Sequence, residues 1–281
     1  MKKILALILL FPFMLHAQWH VNLFGGISNY SGDLQNKMFT TDQSYGAFGA
    51  GLQYDFNSHI SALSGFNYGH VGASDKFNKP DLQARNLSFQ SNIFEWNLMG
   101  EYNLFDINKK RFTPYGFAGI AIYHFNPFAY DTLGRKVYLK PLSTEGEGLP
   151  QYPDRKPYNL TQFAIPFGAG IKLRITDNVT LAYEVGFRKL FTDYLDDVST
   201  TYVDKTILLN EKGPEAVEMA YRGNEVKGGS ATYPPAGTIR GDAKRKDWYY
   251  FSGIRVSIAI NNMKNKIINR KGVIDCPKKV I

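Results

Sequence analysis

Cysteine is all but absent. The one thiol, Cys276, stands five residues from the end of the 281-residue chain, so no internal disulfide is available. Histidine is scarce as well: five in all, of which His20, His59, His70 and His124 lie beyond residue 17. No G-x-S-x-G run occurs, and a serine nucleophile needs a histidine base held by a carboxylate. Only His124, at a strand end among aromatics, offers such a base, which leaves a lipid-modifying enzyme as a minor reading and a non-enzymatic protein as the main one. Beyond residue 17 there is no stretch of about 18 uncharged apolar residues, so no transmembrane helix is expected there.

Strong charge is also missing once its location is considered. Lys2 and Lys3, the apolar run 4–15 and the small Ala17 read as a secretory signal peptide over 1–17. Removing its two lysines takes the net charge from +8 to +6. The tail 261–281 holds Lys264, Lys266, Arg270, Lys271, Lys278 and Lys279 against Asp275, which is +5 of that excess. The body is nearly neutral, and nothing in it points to nucleic acid.

What the chain does have is glycine, 26 residues, and aromatics at 15%. Short apolar segments divided by turn residues favour an all-β protein. Eight segments alternate with a period of two: 19–30, 45–56, 60–71, 92–105, 114–125, 163–175, 179–191 and 251–260. In the fourth, Phe94, Trp96, Leu98, Tyr102 and Leu104 share one face, while Glu95, Asn97, Glu101 and Asn103 share the other. The fifth is apolar on both faces and its phase stays open.

A soluble sandwich would also alternate, but three features favour a membrane barrel. The second faces carry Gly, Asn, Glu, Lys and Arg, the apolar faces end in aromatics, and each segment can cross ~25 Å when tilted. The links 57–59, 106–110 and 176–178 are short, whereas 31–44, 72–90, 126–159 and 192–247 are long. That alternation predicts an eight-stranded antiparallel up-and-down transmembrane β-barrel over 18–260, with external loops and both termini in the periplasm. An eight-stranded barrel is just wide enough for side chains to fill it. Glu95, Glu101, Lys172, Arg174, Glu184, Arg188 and Arg255 are expected to pair inside it, Glu184 with Arg188 among them, and to leave no open pore.

The loop after residue 191 is acidic. Asp193, Asp196, Asp197 and Asp204 could ligate calcium, though their spacing matches no EF-hand; a solvated acidic segment is the main expectation, with no cofactor. "NVT" at 178–180 and "RGD" at 240–242 are too short to be specific.

Three stretches, "GFRKLFTDYLDDVSTTYVD" (186–204), "AGTIRGDAKRKDWYYFSGI" (236–254) and "GISNYSGDL" (26–34), together resemble a family of Bacteroidota outer-membrane barrels that includes PorG of the type IX secretion system. The resemblance implies an outer-membrane part of that machine, in some species tied to gliding motility, which anchors or assembles the periplasmic PorK–PorN ring. The basic tail would then meet an acidic partner, lipid head groups or peptidoglycan. A structural barrel unrelated to secretion is the competing reading.

Overall fold

A computed structural model describes residues 18–37, 39–227 and 229–260. The expected signal peptide, the basic tail and Cys276 lie outside them. Eight strands form the wall: β1 Gln18–Ser31, β2 Tyr45–Asp55, β3 Ile60–Ser74, β4 Ser88–Asn103, β5 Phe112–His124, β8 Thr161–Arg174, β9 Val179–Leu190 and β10 Trp248–Ala259. Between β5 and β8 stands a small hairpin, β6 Phe128–Tyr130 and β7 Lys136–Tyr138, which joins the upper part of β4 at Gln90↔Phe128. Every neighbouring pair in the wall is antiparallel, and β10 returns to β1 from His20↔Ala259 to Ser31↔Trp248. The sheet closes and keeps no free edge, which is what a hydrocarbon environment demands of strands.

The two faces of the wall differ as the alternation requires. Phe48, Phe66, Phe94 and Phe163 point outward with more than half their surface exposed, while Asn22, Gln53, Glu95, Glu101, Lys172 and Arg255 point inward and are buried. A continuous exposed apolar band of this kind is foreign to water-soluble monomers and belongs against lipid. No helix among the described residues is long and apolar enough to cross a membrane; the strands do so. The open phase of β5 is settled by its inner face. Ile120 and Ile122 face out, whereas Tyr115, Phe117 and Tyr123 face in, where the Tyr115 ring receives Lys172 Nζ at 4.6 Å.

Short links gather at one end of the barrel together with both ends of the wall, where Ile260 N donates to Trp19 O at 2.8 Å. The long links gather at the other end. There the described residues include the α-helices α1 Pro80–Gln83, α2 Lys205–Lys212 and α3 Pro214–Ala220. Asp204 starts α2, its carboxylate accepting from Thr206 N and Ile207 N. One apolar cluster joins the barrel mouth to these loops through Phe89, Ile93, Tyr123, Phe125, Leu195 and Leu208.

The closing seam depends on glycine. A Cβ on Gly253 would lie 2.4 Å from Gly25 O and 2.6 Å from Gly26 Cα, so the β1–β10 pair could not keep its spacing. Gly253→Val is expected to cost about 1–3 kcal/mol by overpacking. Loss of the heat-sensitive compact band on a gel would reveal it, and a variant that closes normally would refute the seam argument.

Candidate functional site, a sealed lumen beneath an acidic cap

Two clusters of ion pairs fill the lumen. Glu95 on β4 accepts from Arg188 Nε at 2.8 Å and Nη2 at 3.0 Å, from Tyr249 at 2.7 Å, and from Asn67 and Asn97 at 2.9 Å each. Five donors on one carboxylate meet the condition for burying an ion pair away from water. Nearer the short-link end, Glu101 pairs with both Lys172 and Arg255. Arg255 also faces Glu184 at 3.2 Å, and Tyr115 donates to Glu184 at 2.6 Å. Between the clusters lies a cavity of about 40 Å³ beside Asn22, Asn97, Arg188 and Arg255, room for a few waters. Towards the loops Tyr30, Phe89, Ile93, Tyr123 and Tyr249 close the passage, each 1% exposed or less.

The cap above this plug is built on buried acids. Tyr30 at the top of β1 reaches Asp196 Oδ2 at 2.5 Å and Asp247 Oδ1 at 2.9 Å. A phenol has one proton to donate, so the second contact requires a protonated carboxyl. Burial, aided by repulsion from Asp247 on Asp196 and from Asp193 on Asp247, pushes both carboxyls well above the ordinary range. Leu195 N and Val198 N donate to Asp247 and Asp196, at 2.9 Å each, and pin the loop. The three stretches that carry the resemblance, 26–34, 186–204 and 236–254, thus meet at a single hydroxyl.

A second node lies next to it. Glu145 accepts from Ser199 N at 2.9 Å, Thr200 N at 2.8 Å and Arg240 Nη1 at 2.9 Å. Asp197 adopts a left-handed backbone with φ 65, and its carboxylate takes hydrogen bonds from Tyr158 at 2.7 Å and Thr144 at 2.6 Å. Burial lifts it to about 6 against the pull of Arg240. Glu147, buried near Asp197 and Glu145, is lifted to about 8, and Asp193 by burial to about 7. Glu147 Oε1 and Asp193 Oδ1 are buried without a partner, as a neutral carboxyl tolerates better than a charged one.

Several expectations change at this level. The acidic loop segment is not solvated: Asp193, Asp196 and Asp197 are at most 2% exposed, because the loop folds inward and uses them as anchors. Each of the three turns to a different hydroxyl partner, Ser199, Tyr30 and Tyr158, and among the described residues no group of three His, Cys, Asp or Glu is placed to hold a metal ion. Glu184 and Arg188 do not pair with each other; the pleat offers each a closer opposite charge across the barrel. Arg174 leaves the lumen cluster and faces Asp177 at 3.9 Å in the short β8–β9 link, its side chain having reached the end of the strand. His124 lies on the outer face, bonded to Thr161 at 2.9 Å with no carboxylate behind it. Arg240 of the RGD triplet is buried against Glu145, so that triplet is not a recognition tip. Tyr30, Glu145, Arg240 and Asp247 were not legible as a site; buried anchors at loop bases have no spacing signature.

A family described as a domain of unknown function, DUF6089, matches residues 1–208, spanning β1 to β9 and the first half of α2. The chain belongs to the DUF6089 family. No curated protein matches it. This DUF6089 chain is similar to neisserial surface protein A, with 8% identity over 87% of this chain and 99% of the other, TM-score 0.44. It is also similar to Ail, the attachment invasion locus protein of Yersinia pestis, at 8% identity over 88% and 100%, TM-score 0.42. OprG of Pseudomonas aeruginosa is similar at 11% identity over 87% and 98%, TM-score 0.40. The barrel of the DUF6089 chain is established by its own strand order and register.

Proposed function

We propose that this chain is a non-enzymatic outer-membrane barrel that anchors or assembles the periplasmic PorK–PorN ring of the type IX secretion machinery. The observation that carries an anchoring role is the filled lumen. With Glu95, Arg188, Glu101, Lys172 and Arg255 locked together and Tyr123 and Tyr249 above them, no polypeptide or solute passes through. Such a barrel acts through what it holds. The secretion assignment is supported by the resemblance of 26–34, 186–204 and 236–254. In this reading the short links and both ends of the wall face the periplasm, so the tail starts on the side of the ring. A structural barrel outside any secretion machine is the second reading, and the filled lumen fits it equally.

The test is affinity capture of the tagged full chain from mild detergent, with the co-purifying proteins identified by mass spectrometry. Periplasmic ring subunits are expected, and they should be lost when 261–281 is deleted. Recovery of the barrel alone would leave only the second reading standing.

A further inference from the structure

The rim at the long-loop end carries a surface that neither the plug nor the cap uses. The first residues of loop 32–44 join the cap, where Leu34 is buried in the apolar cluster, and Phe39 further along folds back against the outer wall. Asn29 and Tyr250 occupy outward positions of β1 and β10, yet they are only 1% and 4% exposed and share a hydrogen bond of 2.8 Å. Phe39 packs on Tyr250 from this loop, its ring 5.7 Å from that of Phe187 and 5.5 Å from that of Tyr250. Phe39 is itself 63% exposed. Beside it Trp248 meets Phe167 edge-on at 6.0 Å. These rings continue the lipid-facing band to its upper boundary, where aromatics favour the interface.

Immediately beyond the rings the exposed charge turns basic. Lys189 projects outward from β9 opposite Trp248. Lys244, Arg245 and Lys246 form the turn before β10, and Lys37 lies in loop 32–44; all five are exposed. The Arg245 guanidinium bonds the side chain and backbone oxygen of Asn36, which ties the basic turn to the loop that presents Phe39. Among the described residues no ion pair neutralises any of the five. One exposed acid, Asp242, stands in that turn and accepts from Lys244 N at 3.2 Å, so five cations face a single exposed carboxylate there.

We propose that this rim binds the phosphorylated head group of a membrane lipid in the leaflet at the long-loop end. The phosphates lie on Lys37, Lys189, Lys244, Arg245 and Lys246, and the acyl chains lie along Phe39, Phe187 and Trp248. Guanidinium and ammonium groups are the usual partners of phosphate, and basic residues at a membrane boundary select anionic lipid. Continuity with the apolar band argues for a lipid over a soluble anion. The inference rests on the reading of the chain as a membrane barrel.

Native mass spectrometry of the full chain in detergent micelles tests it, with bisphosphorylated lipid A and its dephosphorylated form as the paired probes. Wild type is expected to retain the phosphorylated lipid about tenfold better, an advantage that the triple variant K244Q/R245Q/K246Q should lose. The tail is common to both proteins, so its own attraction cancels. Phe39→Ala should weaken lipid retention without creating any preference for the dephosphorylated form. Displacement of the lipid by millimolar inorganic phosphate would overturn the inference in favour of a soluble-anion site. A chain folded by heat-dependent gel mobility that retains both lipids equally would overturn this inference alone. A chain that never folds in micelles would overturn the membrane-barrel reading with it.

Discussion

Replacing Glu95 with leucine is expected to lower the stability of the folded barrel by about 3–5 kcal/mol, because it strands a buried guanidinium. With Glu95 gone, Arg188 keeps, among the described residues, Gly186 O at 2.6 Å as its only hydrogen-bond acceptor, and the Tyr249 hydroxyl loses the Glu95 oxygen it donates to. Arg188→Met should cost less, since the Glu95 carboxylate would still accept from Tyr249, Asn67 and Asn97. The double replacement E95L/R188M removes both charges while filling similar volume. It should recover most of the loss, as apolar substitutes for buried ion pairs commonly do. Urea titration of the folded chain in vesicles, monitored by tryptophan fluorescence, measures all three. If Glu95→Leu costs under about 1 kcal/mol, the pair is in contact with water and the lumen is not sealed. Equal losses in the two single variants would mean that the neutral donors contribute little.

The cap is expected to loosen as pH rises. Asp193 is held at about 7 and Glu147 at about 8 by burial, Asp33 at about 6, and Asp196 and Asp247 higher than ordinary carboxyls. In an open, hydrated loop the same groups titrate near 4. The folded cap therefore binds more protons than the open one between those limits, and its stability falls as pH climbs from about 4 towards 8. Around these acids stand Tyr30 from β1, Glu145, Tyr158 and Thr144 from loop 125–160, and Arg240 and Lys246 from loop 191–247. Arg85, facing Asp33 from loop 75–87, joins Arg240 and Lys246 in opposing the trend, and the acids, which reinforce it, outnumber the three. Amide exchange at Leu195 and Val198, corrected for the intrinsic rate, should lose about tenfold or more in protection from pH 5 to 8, since tenfold corresponds to ~1.4 kcal/mol. Asp247→Asn, neutral throughout, should flatten the slope. Protection that stays level or rises with pH would refute the protonated cluster.

Much of the wall was legible because strand alternation is a local property. Phe94, Trp96 and Leu98 against Glu95 and Asn97 state which face is wet without reference to any other strand. The alternation of short and long links then supplied closure, since an up-and-down path has few other solutions. β5 resisted for a local reason: Tyr115, Phe117 and Tyr123 are aromatic yet face the lumen, where Tyr115 carries Lys172 and Arg255 on its ring.

Partner choice is a different kind of fact. Which acid meets Arg188 depends on the stagger of the strands and on the spacing across the barrel. Glu95, 93 residues away in sequence, wins over Glu184 only in the closed form. The loops were the least legible. An aspartate reads as a water-loving residue until a fold surrounds it, and Asp196 and Asp247 become anchors only when Tyr30 arrives from the other end of the chain. Sequence by itself determined the all-β wall, the eight crossings, the two faces and the ends at which loops gather, because each is set by the period of two and the length of the links. Tertiary structure alone decided the ion-pair partners, the burial of the acidic cap and the placement of Phe39 against the outer wall. Those depend on distances between residues that the chain keeps far apart, and on a desolvation that exists only once the barrel has closed.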